Sequence, residues 1–91
     1  MSSVQIPTSR TIVLAPNPNR EYAAFVNNGA DIVRLELGNN ARTGSGIRLT
    51  SGASYEINKD NPYYGIVTAI SEAGTNELSV TEKGVQDLLL G

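Results

Sequence analysis

The chain has no cysteine and no histidine. The first absence excludes disulfide staples and thiol nucleophiles. The two together exclude the common zinc sites and the usual general base for activating a serine. Carboxylates, lysine and tyrosine are what remains for chemistry, and no cofactor or metal is implied. Tryptophan is missing as well, and the aromatics amount to Phe25 with Tyr22, Tyr55, Tyr63 and Tyr64. Core volume must therefore come from Val, Ile, Leu and Ala. No run approaches the roughly 20 apolar residues of a membrane-spanning helix. Met1-Ser2-Ser3-Val4-Gln5 carries neither the basic start nor the apolar stretch of a secretory signal, so synthesis in the cytoplasm is expected. A positive excess is lacking too. Seven Lys and Arg are scattered against nine Asp and Glu, for a formal charge of −2. The basic stripe that releases counterions from phosphate is absent, which argues against a nucleic-acid partner.

What is present is a series of short β-branched runs separated by Gly, Asn, Pro and Ser clusters. That spacing predicts an all-β fold, a small single-domain sandwich or barrel of about seven short antiparallel strands with extended terminal arms. The expected strands lie near residues 10–15, 21–27, 31–37, 46–50, 53–57, 65–71 and 77–82. The expected organisation is an N-terminal arm over residues 1–9, a β domain over 10–83 and an apolar tail over 84–91. A chain of 91 residues buries only roughly 60–65% of its unfolded surface, and a core that thin often leans on oligomerisation.

Asn28-Gly29 carries the strongest turn signal, because Asn-Gly tolerates the positive φ values of a type I′ hairpin turn. With those two residues as the loop, Tyr22 and Ala24 would share a core face with Leu35 and Val33. Phe25 would then oppose Ile32 on the other face, as an apolar spot that is either covered by a later segment or offered to a partner. Ser51-Gly52 predicts a second hairpin, between the runs GIRLT and ASYEI. Residues 39–46 read as a long exposed loop with two glycines.

Candidate chemistry is sparse. Glu21, Glu36, Glu56 and Glu82 supply carboxylates of the type that acts in acid and base pairs, but each sits in a strand pattern where a solvated outward position is the simpler reading. Asp60 and Asp87 read as hydration or capping groups. Thr43-Gly44-Ser45-Gly46 resembles a phosphate-cradling loop only superficially, without the Lys-Ser/Thr ending or a following helix. Tyr63-Tyr64, with Arg48 and Lys59 as neighbours, is a candidate platform for sugar or single-stranded nucleic acid, although adjacent strand residues point to opposite faces. At the ends, Val4 and Ile6 alternate before Pro7, and Leu88-Leu89-Leu90 follows a Lys83-Gly84 break; both read as docking segments, with completion of the last strand over the core as the alternative for the three Leu. The expected partner-binding residues are thus Val4, Ile6, Phe25, Ile32, Leu88, Leu89 and Leu90.

The run Asn17-Pro18-Asn19-Arg20-Glu21-Tyr22-Ala23-Ala24-Phe25-Val26-Asn27 is followed in order by Leu35-Glu36-Leu37-Gly38, Gly46-Ile47-Arg48-Leu49, Ser54-Tyr55-Glu56-Ile57, Tyr64-Gly65-Ile66-Val67-Thr68-Ala69-Ile70 and Val80-Thr81-Glu82. Over residues 12–83 this order resembles a pattern in small virion proteins of tailed bacteriophages. The Asn27–Asn28–Gly29–Ala30–Asp31 turn and the Leu-rich tail depart from it. The resemblance implies a head decoration or cement protein on the outer capsid. It would clamp subunits of the major capsid protein and be a homo-oligomer, with a trimer favoured, and it has no catalytic residues to carry over. A tail or baseplate component, or a carbohydrate- or receptor-binding module using Tyr63 or Tyr64, is the alternative. A small hydrolase using carboxylates lacks a clustered acidic motif.

Overall fold

The computed structural model describes residues 2–84, and Leu88, Leu89 and Leu90 lie outside them. The described residues are all β, with eight antiparallel strands and no helix: β1 (Ser2–Ile6), β2 (Thr11–Leu14), β3 (Tyr22–Asn27), β4 (Val33–Glu36), β5 (Ile47–Leu49), β6 (Ser54–Ile57), β7 (Val67–Ser71) and β8 (Asn76–Lys83). They form two four-stranded sheets, one in the order β1-β8-β3-β6 and one in the order β2-β7-β4-β5. That pair of orders is a jelly roll, in which nearly every connection carries the chain from one sheet to the other. All seven expected strand regions are present, as β2 to β8.

The core lies between the sheets and is mostly aliphatic. Phe25 on β3 is fully buried beside Ala23, and Val80 and Leu78 on β8, Ile57 on β6 and Ile6 on β1 complete that side. Val33, Leu35, Leu49, Val67 and Ala69 face them from the second sheet, with Leu14 at the edge. Burying a side chain of this size stabilises by roughly 1.5–3 kcal/mol, so the single phenylalanine matters in a core this small.

Both expected hairpins are corrected. β3 pairs with β6 and β8, whereas β4 pairs with β5 and β7. The segment over Asn28-Gly29 therefore crosses between sheets, and the one over Ser51-Gly52 does the same from β5 to β6. Gly29 does not have positive φ, so no type I′ turn forms there. The consequence for β3 is an inverted face. Side chains alternate with a period of two, so Ala23, Phe25 and Asn27 point inward while Tyr22, Ala24 and Val26 point out. Ser51-Gly52 keeps a turn, with Ala53 N–H donating to Thr50 O at 2.9 Å and Gly52 at φ 83° in the third position.

The N-terminal arm is corrected as well. Residues 2–6 pair along β8 from Ser2–Val80 to Ile6–Asn76, and Ile6 is fully buried. Pro7 is compatible with this because β1 is an edge strand that ends before it. Pro7 O accepts a 2.9 Å bond from Ser71 N, tying the strand end to the second sheet.

Residues 37–46 join β4 to β5 and are not simply an exposed loop. They fold back over the outer face of the second sheet. Thr68 Oγ1 donates to Gly38 O at 2.7 Å and accepts from Ala41 N at 3.2 Å, which buries Ala41 and Thr68. Arg10 Nη1 reaches Asn39 O at 3.1 Å, and Gly44 N donates to Glu72 Oε2 at 2.9 Å. Arg34 Nε donates to the same oxygen at 2.6 Å. All five residues of β7 are buried, Val67, Ala69 and Ser71 on the side of the core and Thr68 and Ile70 on the side of this segment. Among the described residues no such cover lies over the first sheet, whose outer face carries the small side chains Ala24, Val26, Ser54, Ser79 and Thr81 beside the hydrogen-bonded pair Tyr22 and Glu56.

Candidate functional site

The sequence Asn17-Pro18-Asn19-Arg20 folds on itself before β3 begins. Asn17 Oδ1 accepts from Asn19 N at 3.0 Å, and Asn17 O accepts from Arg20 N at 3.1 Å, a compact turn of the kind Asn favours. The turn drives Arg20 inward. Its side chain is fully buried, with Nε on Glu82 Oε2 at 2.8 Å, Nη1 on Tyr63 O and Gly65 O at 3.0 Å each, and Nη2 on Ala15 O at 2.7 Å. A guanidinium is suited to this because its planar fork donates in several fixed directions at once. Asn17 adds a bond from its backbone N to Tyr64 O at 2.8 Å and one from Nδ2 to Glu82 at 3.2 Å. Three successive carbonyls, those of Tyr63, Tyr64 and Gly65, are thereby held by one buried knot.

Two members of that knot, Tyr64 and Glu82, line an open cleft of about 940 Å³ at the end of the first sheet. Glu21 and Tyr22 contribute from the start of β3, and Thr81, Glu82 and Lys83 from the end of β8. Asn58, Lys59, Asp60 and Tyr64 contribute from the β6–β7 connection. The rim at Lys59 and Asp60 is fixed by a tight turn in which Asn58 Oδ1 accepts from Asp60 N at 3.0 Å and Asn61 N at 3.1 Å. Asn61 Nδ2 in turn donates to Tyr55 OH at 2.8 Å.

The two adjacent tyrosines divide. Tyr63 packs against the core and its hydroxyl donates to Ile66 O at 2.8 Å, whereas Tyr64 is 49% exposed and lines the cleft. Tyr22 is oriented by a 2.8 Å bond from its hydroxyl to Glu56 Oε2. That bond, with desolvation and the negative charge of Glu56, pushes the phenol above its ordinary value of 10.0, so it stays neutral. Lys59 lines the same cleft, but Arg48 lies on β5 in the other sheet.

Of the carboxylates singled out in the sequence, Glu21 and Glu82 meet in the cleft, Glu56 serves Tyr22, and Glu36 lies on β4 of the opposite sheet. Among the described residues no group of three or more acidic side chains is placed to hold a metal. Thr43-Gly44-Ser45-Gly46 belongs to the strap formed by residues 37–46 over the second sheet, and its Gly44 N–H donates to a carboxylate of the chain itself.

The expected partner-binding residues fare differently. Phe25 and Ile6 have no exposed surface and are corrected to core residues, because each points between the sheets. Val4 is partly buried and packs on the same core. Ile32 is half-buried in the crossing segment and does not oppose Phe25; its carbonyl accepts from Glu72 N at 2.9 Å. Leu88, Leu89 and Leu90 are outside the described residues. The sequence reasoning missed the bare face of the first sheet and the role of Arg20. The one available signal was that an isolated Arg two residues ahead of a strand, following Asn-Pro-Asn, has a turn before it to aim its side chain inward. In comparisons with known proteins, the chain matches no family model, no curated protein and no solved structure.

Proposed function

We propose that the chain is a non-enzymatic structural protein of a tailed-phage virion. It binds the outer capsid surface as a decoration or cement protein and bridges neighbouring subunits of the major capsid protein. The observation that carries this reading is the asymmetry of the two outer faces. The second sheet is covered by the chain's own strap, while among the described residues the first presents an uncovered face in which Ala24, Val26, Ser54, Ser79 and Thr81 stand beside Tyr22 and Glu56. Small side chains let a flat partner surface approach the backbone closely, and a stable contact needs only ~800 Å² from each partner. The jelly-roll strand order, recurrent in viral shells, supports the reading without deciding it. So does the order of motifs over residues 12–83. In this reading the contact belongs to the face of a sheet and not to a free N-terminal arm, and assembly as a trimer would multiply it around a three-fold axis.

The test is add-back of purified protein to heads of the parent particle stripped of their outer proteins. Saturable co-sedimentation with the shells is expected, and Val26→Arg or Ser54→Arg should abolish it at unchanged melting temperature. Binding to tails or baseplates alone, or shell binding indifferent to both substitutions, would overturn the assignment.

A further inference from the structure

The end of the first sheet bears features that a flat packing face does not require. Tyr64 is one of only two large hydrophobic side chains left about half exposed or more among the described residues. A half-exposed aromatic on a mobile loop would be unremarkable, but this one stands on a fixed backbone. Its own carbonyl and those on either side accept hydrogen bonds from Asn17 N or from the buried Arg20. The rim opposite is held equally firmly by the Asn58 turn. A site whose walls are ordered before binding loses little entropy when it is filled.

Size and charge narrow the ligand. The cleft of about 940 Å³ lies within the range of small-molecule sites and has room for one or two pyranose rings. Its charges balance: Glu21, Asp60 and Glu82 stand against Lys59, Lys83 and the Arg20 that pairs with Glu82. A phosphate or sulfate ligand would call for a positive excess, and a cation for a cluster of acids. Neither is found there among the described residues. Interspersed carboxylates, ammonium groups, the Asn58 amide and the Thr81 hydroxyl are instead donors and acceptors for a ring of hydroxyls. The exposed tyrosine face is a surface for the apolar C–H face of the same ring.

We propose that this cleft binds a neutral saccharide, with one pyranose ring stacked on Tyr64 and its hydroxyls held by Lys59 and Asp60 on one side and Glu21, Thr81 and Lys83 on the other. The cleft shares Thr81 with the flat face, but the two readings are tested at different residues. Shell binding is tested at Val26 and Ser54, so either reading fails without the other.

The experiment is a glycan array carrying neutral and acidic glycans, probed with the full chain, followed by NMR titration with maltose and cellobiose into the millimolar range. Binding to neutral glycans is expected, with amide shifts at Lys59, Tyr64 and Thr81 and a loss of about tenfold or more in affinity for Tyr64→Ala. Should Tyr64→Ala also lower the melting temperature, the paired variant Lys59→Ala with Asp60→Ala, at the exposed tip of the turn, must weaken binding while leaving the fold intact. No binding to any neutral glycan, binding to acidic glycans alone, or full affinity in the tip variant would each overturn the proposal.

Discussion

Gly29 lies directly against the side chain of Asn76, so close that a Cβ at position 29 would overlap Asn76 Oδ1 and Cβ. Asn76 cannot easily move away. It is buried, its Oδ1 accepts from Asp31 N at 3.0 Å, and its Nδ2 donates to Ser71 Oγ at 2.6 Å and Ala73 O at 3.2 Å. Asn27, also fully buried, holds the same corner by donating to Asp31 O and Leu49 O at 2.8 Å each. Glycine is required here by the close approach of a side chain and not by a left-handed backbone.

Gly29→Ala should therefore destabilise the fold by roughly 1–3 kcal/mol, the usual cost of forcing extra volume into a packed site. Urea denaturation measures it. An unchanged midpoint would mean that the crossing segment relaxes freely.

Arg20→Ala should be the most damaging single change at the site. It strands the carbonyls of Ala15, Tyr63 and Gly65 and leaves Glu82 without its partner, at a cost of about 3 kcal/mol or more. Arg20→Lys should recover little of this, because one ammonium cannot reach all four acceptors. Glu82→Gln should cost only about 1 kcal/mol, since that carboxylate is 28% exposed and screened by water. Thermal melts of the three variants rank them, and equal melting temperatures would refute the knot.

Acid should loosen the strap before it unfolds the sandwich. The Gly44 N–H, and after it Arg34, hold Glu72 below its ordinary value of 4.5, with Arg48 adding a smaller pull. A carboxyl depressed in the folded state contributes stability above its unfolded pKa and loses it as pH falls through the depressed folded value. Hydrogen exchange at the Gly44 amide should accordingly quicken relative to its intrinsic rate as pH drops below about 4.5. In Glu72→Gln that acid-dependent component should vanish. Identical pH profiles for the two proteins would remove Glu72 from the clasp.

Deleting residues 1–7 should destabilise the protein severely, and Ile6→Ala alone should cost about 2–4 kcal/mol, because Ile6 is fully buried and β1 covers the edge of β8. Chemical denaturation checks both. Wild-type stability in the deletion would restore the N-terminus to the status of a free arm.

The sequence by itself determined the class of fold and the position of seven of the eight strands, because alternation and turn chemistry are encoded within a few neighbouring residues. Tyr63 and Tyr64 do part company, but they lie in the connection before β7, where strand alternation does not apply, and the Tyr63 hydroxyl bond to Ile66 O together with the carbonyls held by Arg20 and Asn17 sets their directions. Even β1 left a trace, the alternation of Val4 and Ile6 before Pro7, but an edge strand and an extended arm look alike over so short a run. Only the tertiary structure decided which strands pair. Asn28-Gly29 is a strong local signal for a hairpin, yet β3 gains more by joining β8 and β6, with Phe25 sealed between the sheets, than by turning back on β4. Pairing across a period-two element also sets the face, so that one long-range choice moved Phe25 inward and brought Ala24 and Val26 to the surface. The cleft and the strap are decided in the same way. Arg20 and Glu82 are 62 residues apart and Ala41 and Thr68 are 27 apart; no local pattern joins them, and they meet because burying apolar surface between two sheets leaves the chain no other way to satisfy the polar groups it carries along.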